Sequence, residues 1–369
     1  MSVLASIGTR KGLFLLRSDA ERRSWELEGP LLTGWEVFHA LLDPRDGALY
    51  AATNNPVYGP TVHRSADLGE TWTRAEELGL PGDGETTLEK TWHVEPGRPD
   101  EPGRLWLGAA PGVLFRSDDS GESWEAVEGI LHHPTRDQWN PGAGGMCLHS
   151  IQLDPDDRER MYVGISAAGM FRTDDGGASW APANQGTAAD FQADTFPTVG
   201  QCVHKVLLHP ERSDRLWQQN HCGVYRSDDR GESWERLEGN GLPSGFGFPL
   251  ALHPRDPDRA YVVPEVGAEN RVTSDGRLGV YTTHDAGASW ELSSRGLPEQ
   301  AWAAVMREGF AFTGSIHSAS TSGRRAARSS SRRTRARAGT RRLPSSRPSC
   351  PSRSPSGRSP PPRHPGGGG

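Results

Sequence analysis

Two short stretches share one pattern of chemically useful side chains. Gly145-Met146-Cys147-Leu148-His149 and Gly200-Gln201-Cys202-Val203-His204 both read Gly-x-Cys-x-His, 55 residues apart. His39, in Trp35-Glu36-Val37-Phe38-His39, sits in a similar context, and His221 follows Gln219-Asn220. Imidazoles brought together can move protons as general acids or bases. They can also ligate a transition metal, so a divalent ion at the His cluster is one reading, with no metal identified. The plainer reading is that each His hydrogen-bonds its neighbours. Ligands from distant segments weigh against metal, because no compact ligand motif is present. Cys147, Cys202 and Cys222 read best as small packing residues.

What positions these residues is a repeat. Five segments have the form Ser/Thr-x-Asp-x-Gly-x-Ser/Thr-Trp: Ser65 to Trp72, Ser117 to Trp124, Thr173 to Trp180, Ser227 to Trp234 and Thr283 to Trp290. Their starts are 52, 56, 54 and 56 residues apart, and a worn copy runs from Ser18 to Trp25. The carboxylates of Asp67, Asp119, Asp175, Asp229 and Asp285 are placed to accept hydrogen bonds from turn N–H groups. Gly69, Gly121, Gly177, Gly231 and Gly287 suit positive φ. The Trp offers a large ring to bury between sheets. These Asp residues are read as structural turn locks rather than catalysts. An apolar run precedes each turn, as in Val113-Leu114-Phe115, and two earlier runs and one later run complete four strands. Four strands per repeat of about 50 residues describe one propeller blade.

The repeats resemble the Asp boxes (BNR repeats) of sialidase-like β-propellers, over residues 1 to about 313. The resemblance implies an all-β propeller of four-stranded blades, with glycoside hydrolysis as the superfamily's chemistry. The Phe/Tyr-Arg-Ile-Pro signature of sialidases is missing; Arg10 is the nearest early Arg, and no Tyr has an evident Glu partner. The expectation is therefore a glycoside hydrolase other than a true sialidase, acting on a glycan or small polar substrate. The alternative is a non-catalytic propeller that binds a ligand or a protein. Turns of this kind lie between third and fourth strands, so the opposite face carries the site. His149, His204, His221 and His39 are its catalytic candidates. Trp139, Asn140, Asn220, Glu36 and Glu265 are its substrate-binding candidates. Glu36, Asp137, Asp190, Asp194 and Glu265 are the carboxylates placed on that face; two of them could form a glycosidase pair, and the sequence leaves open which two converge.

The last part of the chain has another texture. From Thr321 onward there are 13 Arg, no Lys and no acid, which leaves 28 basic against 47 acidic residues before it. An acidic body argues against a nucleic-acid partner. Residues 314–369 read as an Arg/Ser/Pro-rich disordered tail. They also read as a frameshift product. Codons for Asp-Glu-Gly-Ala-Ser-Trp, shifted by one base, encode Thr-Arg-Ala-Arg-Ala-Gly, the string at Thr334 to Gly339. Residues 2–29 supply three strands without an innermost one, five full blades follow, and Trp302 to Phe312 would begin another. The native form is thus expected to have seven blades, the last incomplete in this chain. No apolar stretch has the length of a membrane span. Cys147, Cys202 and Cys222, without framework spacing (Cys350 lies in the tail), and a start without an apolar leader suggest the cytoplasm.

Overall fold

The computed structural model describes residues 3–81 and 86–311, together with the backbone of residues 319–322. The chain divides into two compact units, Met1–Ser330 and Ser331–Gly369. The second unit, and with it nearly all of the expected tail, lies outside the described residues.

The first unit is all-β in its core, a propeller of four-stranded sheets as the repeat predicts. Six such sheets are present among the described residues. The third shows why the sequence folds this way. Its innermost strand is Lys90–Pro96, followed outward by Leu105–Ala110, Val113–Ser117 and the two-residue Glu125–Ala126. Leu105–Ala110 is buried at every position, as is Met161–Ser166 in the next sheet. Strands covered on both faces need continuous apolar runs rather than alternation. Neighbouring sheets approach until backbones touch. A Cβ on Gly108 would lie 2.4 Å from the Leu148 carbonyl oxygen, so only glycine fits there.

The repeated turns join third to fourth strands as expected. In the first, the Ser65 hydroxyl donates to Asp67 at 2.7 Å and accepts from the Gly69 N–H at 2.8 Å. Asp67 in turn accepts the Thr71 N–H at 2.9 Å and the Thr71 hydroxyl at 2.6 Å. Asp119, Asp175, Asp229 and Asp285 repeat the arrangement. Hydrogen bonds from Thr71, then Ser65, hold the Asp67 carboxyl down at about 2; Asp175 and Asp285 also lie at about 2 for the matching reason. An unfolded Asp titrates near ~3.9. This stabilisation is present above that pH and is lost as pH falls toward about 2. Replacing Asp119 or Asp229 with Ala is expected to cost about 1–3 kcal/mol by leaving turn donors unsatisfied. Urea denaturation measures the loss. An unchanged midpoint would mean that the carboxylate locks nothing.

Each box Trp packs against the sheet before its own. Trp234 Nε1 donates to the Ala183 carbonyl at 2.9 Å, and Trp290 Nε1 donates to Leu237 at 3.3 Å. Trp124, Trp180, Trp234 and Trp290 are buried in consequence, whereas Trp25, in the worn copy, is 43% exposed.

Two features differ from the seven-blade expectation. The described part of Trp302 to Phe312, through residue 311, forms no strand, and Phe312 lies outside the described residues. The first sheet does contain Val3–Thr9, Gly12–Ser18 and Trp25–Leu31 as three strands, but Ala319–Ser322 supplies its innermost one. That pairing runs parallel, from Ala5 opposite Ala319 to Gly8 opposite Ser322, while the other paired strands are antiparallel. Consecutive sheets pack on one another from first to sixth; no comparable packing joins the sixth to the first among the described residues.

Candidate functional site

The innermost strands of five sheets, Glu36–Leu42, Lys90–Pro96, Cys147–Leu153, Val203–His209 and Gly247–Leu252, share one irregularity near their start. Each bulges, with register breaks between Val37 and His39, Thr91 and His93, Leu148 and Ser150, Val203 and Lys205, and Gly247 and Leu250. A bulge inserts an unpaired residue and re-aims its side chain. Here it sets two tiers of side chains. Phe38, Trp92, His149, His204 and Phe248 occupy the bulge and line a cavity of about 750 Å³. One residue on, His39, His93, Ser150 and Lys205 form a deeper tier outside the cavity lining.

This ordering decides the fate of the expected residues. His149, His204 and His221 all line the one cavity, together with Glu36 and Asn140. His39 does not: it holds in its strand the deeper position that Lys205 holds in its own, and is buried. Trp139 is 5% exposed and belongs to a core cluster with Phe171 and Trp180, so it supports the loop from beneath. Asn220 is buried at a hairpin turn, where its side chain accepts the Cys222 N–H at 3.2 Å and donates to Gln218 at 2.6 Å. Glu265 is also buried away from the cavity; its carboxylate accepts the Val305 N–H at 2.8 Å, and burial pushes its pKa up to about 7. Asp137, Asp190 and Asp194 are exposed and do not line the cavity.

Among the lining histidines, hydrogen bonding separates roles. His149 donates from Nε2 to the Val203 carbonyl at 2.9 Å, and its Nδ1 lies 3.1 Å from the Ser150 hydroxyl. Both nitrogens are engaged, so His149 ties two blades together. His204 donates from Nδ1 to the Gly247 carbonyl at 2.6 Å and stacks on Phe248 with centroids 4.3 Å apart. That bond fixes the tautomer and leaves Nε2 as a lone-pair nitrogen. His221 is half-buried against Phe191, His204 and Phe246. Burial first, then nearby Arg side chains, pushes the pKa of His204 well below the usual imidazole range and lowers that of His221. The shift favours the neutral ring of each, whose free nitrogen can accept a hydrogen bond or a metal.

The walls carry more positive than negative charge. Lys90 lies over Phe38 at 5.4 Å, Arg271 over Phe248 at 5.3 Å, and Arg307 over Trp92 at 5.3 Å. None of the three forms an ion pair among the described residues. The lining carboxylates are Glu36 and Glu308. Glu36 faces Arg10 at 3.4 Å, and Glu308 is buried on Lys205 at 2.6 Å. Burial opposes ionisation of Glu308, yet Lys205 holds its carboxyl down at about 2.

Two groups among the described residues hold three metal-type ligand atoms within 4.8 Å of one another: Cys202, His204 and His221, and His39, His93 and Glu308. In the second, Lys205 already supplies the cation that Glu308 needs. The aromatic tier of Phe38, Trp92 and Phe248, and His93, are absent from the residues expected above. Their signal was present in the repeat spacing: Lys90-Thr91-Trp92-His93 is the third-blade counterpart of Glu36-Val37-Phe38-His39.

No family model matches the chain. An oligoxyloglucan-reducing end-specific xyloglucanase of Emericella nidulans is 24% identical over 227 residues, covering 54% of this chain and 26% of that protein. Xyloglucanase Xgh74A of Acetivibrio thermocellus is 24% identical over 165 residues, covering 40% and 18%. The vacuolar protein sorting/targeting protein 10 of Mycosarcoma maydis is 36% identical over 107 residues, covering 28% and 6%. The chain thus spans about a quarter or less of these curated relatives. Among solved structures, the GH74 enzyme of Niastella koreensis superposes with a TM-score of 0.53 at 18% identity, over 78% of this chain and 42% of that one. An ancestral GH74 enzyme gives 0.54 at 18% identity, over 74% and 33%. At this identity the likeness is one of fold: a β-propeller whose neighbours include glycoside hydrolases.

Proposed function

We propose that this chain is a glycoside hydrolase-like propeller that takes a glycan or other small polar ligand in the cavity lined by the bulged innermost strands. The observation that carries the reading is the cavity itself. Its volume of about 750 Å³ suits a small ligand. Phe38, Trp92 and Phe248 give the cavity an apolar wall overlaid by Lys90, Arg307 and Arg271, and His204, His221, Asn140 and Arg271 offer polar contacts. The xyloglucanase relatives support an oligosaccharide as the first ligand to try. Calorimetric titration with xyloglucan oligosaccharides and a wider glycan panel tests it. Binding that His204→Ala abolishes is the expected result. Full affinity in that variant, or no binding across the panel, would remove the cavity from consideration.

A second reading, binding without cleavage, has an observation of its own. Glycoside hydrolysis needs two available carboxylates, and here Glu36 faces Arg10 while Glu308 is tied to Lys205. Release of sialic acid from sialosides is expected to be negligible in either case, because the Arg-Ile-Pro signature and the Tyr–Glu pair are missing. Robust release would overturn this and raise Arg10, a lining residue beside Glu36, to a carboxylate ligand. The thiols of Cys147, Cys202 and Cys222 are all free, which fits a cytoplasmic setting.

The repeated turns support placing the chain among Asp-box propellers of the sialidase-like kind. We propose further that the native ring has seven blades and that the tail from about Ser315 is read in the wrong frame. The exposure of Trp25, whose counterparts each pack on a preceding sheet, supports a sheet missing before the first.

A further inference from the structure

We propose that Cys202, His204 and His221 form a transition-metal site of zinc type, open to the cavity at its fourth position. The ligand set comes from two neighbouring segments of one blade. Cys202 and His204 flank Val203 at the start of the bulged innermost strand Val203–His209. His221 sits on the hairpin between Arg212–Asn220 and Gly223–Ser227. The hairpin is tied back where the His221 N–H donates to the Cys202 carbonyl at 2.9 Å. Their ligand atoms lie within 4.8 Å of one another. Zinc–sulfur and zinc–nitrogen bond lengths set tetrahedral ligand separations of roughly 3.3–3.6 Å. Closing that gap takes a shift of at most about 1.5 Å. His221 can supply it, since its half-buried ring is held by ring contacts rather than by hydrogen bonds among the described residues.

The surroundings are those of a metal site in two further respects. His204 donates Nδ1–H to the Gly247 carbonyl at 2.6 Å, the outer-shell bond that aims Nε2 at a metal. One thiolate with two imidazoles selects a borderline-soft ion such as Zn²⁺ over Mg²⁺ or Ca²⁺. Burial pushes the Cys202 thiol up to about 11, against the pull of nearby Arg307, so it would bind as the thiolate only with the metal in place, its proton passing to solvent. Arg271 lines the same cavity over Phe248 at 5.3 Å, so it favours an anion, hydroxide or carboxylate, as the fourth ligand. The cavity provides the open position that distinguishes a reactive site from a structural one.

Cobalt(II) is the probe, because thiolate ligation gives a charge-transfer band in the near ultraviolet that needs no glycan and no turnover. Titration of the full chain with cobalt(II) chloride is expected to give a saturable thiolate band, displaced by zinc(II) chloride. Cys202→Ser is expected to abolish the band. His221→Gln is expected to weaken metal binding by more than the 10–100-fold typical of an outer-shell partner. Cys222→Ser is expected to keep the band. Circular dichroism of the same samples shows whether each variant is folded, and the half-buried His221 is the safer change if Cys202→Ser is not. Absence of the band in folded protein, or a band that follows Cys222 rather than Cys202, would overturn the proposal. Loss of glycan binding with the band intact would instead count against the carbohydrate reading alone.

Discussion

Glu308→Ala is expected to destabilise this chain by about 3–5 kcal/mol, the usual consequence of stranding one member of a buried ion pair. Glu308 and Lys205 are each about nine-tenths buried and meet at 2.6 Å at the cavity wall. The neighbours left to Lys205 would be His39 and His93, whose rings lie 4.0 Å apart. Burial, chiefly, depresses these imidazoles, to about 3 for His39 and about 4 for His93, so they stay neutral and cannot replace the carboxylate. Replacing both charged partners, Lys205→Met with Glu308→Leu, is expected to recover most of the loss, since apolar groups of similar volume tolerate burial. Urea denaturation of the three proteins decides it. A double variant no better than the single one would show that the pair is not the source of the effect. The same cluster makes the fold acid-sensitive. Histidines with depressed pKa values favour the folded state fully only above their unfolded value of ~6.5, so stability falls as pH drops from there toward about 3. Glu308 adds a second loss between its unfolded value of ~4.3 and about 2.

The repeat made most of the fold legible. Ser/Thr, Asp, Gly and Trp at fixed offsets define a turn whose hydrogen bonds are local, so sequence alone contains nearly everything that forms it. The turn still held a surprise. The residue before the Gly also has positive φ, at Leu68, Ser120, Arg230 and Ala286 as well as Gly176, because the tight hairpin places two successive residues there. The site was harder to read, because it depends on how far each strand is offset. Aligning blades by their histidines put His39 beside His204. Aligning them by glycine, Gly34 with Gly145 and Gly200, gives Phe38 instead, and that is the bulged residue the cavity shows. Trp139, Asn220 and Glu265 were misplaced for another reason. A large ring, a turn amide and a carboxylate look alike in sequence whether they face a ligand or satisfy the core. Trp139 covers Phe171 at 5.0 Å, Asn220 closes its own hairpin, and Glu265 holds Val305. Only long-range packing distinguishes these cases.

Restoring one base near codons 313–319 is expected to give a markedly more stable protein, through a seventh blade. The shifted frame should encode a strand, a Ser-x-Asp-Glu-Gly-Ala-Ser-Trp-like turn and an apolar closing strand. Such a blade would bury the surfaces that this chain leaves open at the gap: Trp25 at 43% and Leu27 at 63% exposure on one side, Leu292 at 38% on the other. Large apolar side chains each contribute about 1.5–3 kcal/mol on full burial. A gain of several kcal/mol is therefore expected from these three alone, besides the removal of unpaired edges. The new blade also makes a demand on the first prediction. Residues 301–309 now run from the sixth sheet to the fifth, with the Ala301 N–H on the Gly276 carbonyl of the sixth and Glu308 on Lys205 of the fifth. In a seven-bladed ring Trp302 to Phe312 would instead begin a sheet of its own, and Glu308 would leave Lys205. Glu308→Ala should then cost little in the restored protein while remaining severe in this one. The nucleotide sequence tests the premise first: early stops in the other frame, or no Asp turn there, would mean that Thr334 to Gly339 are native. Thermal denaturation of the two proteins tests the rest. An unchanged midpoint with Trp25 still open to a fluorescence quencher would show that no blade had formed in the gap.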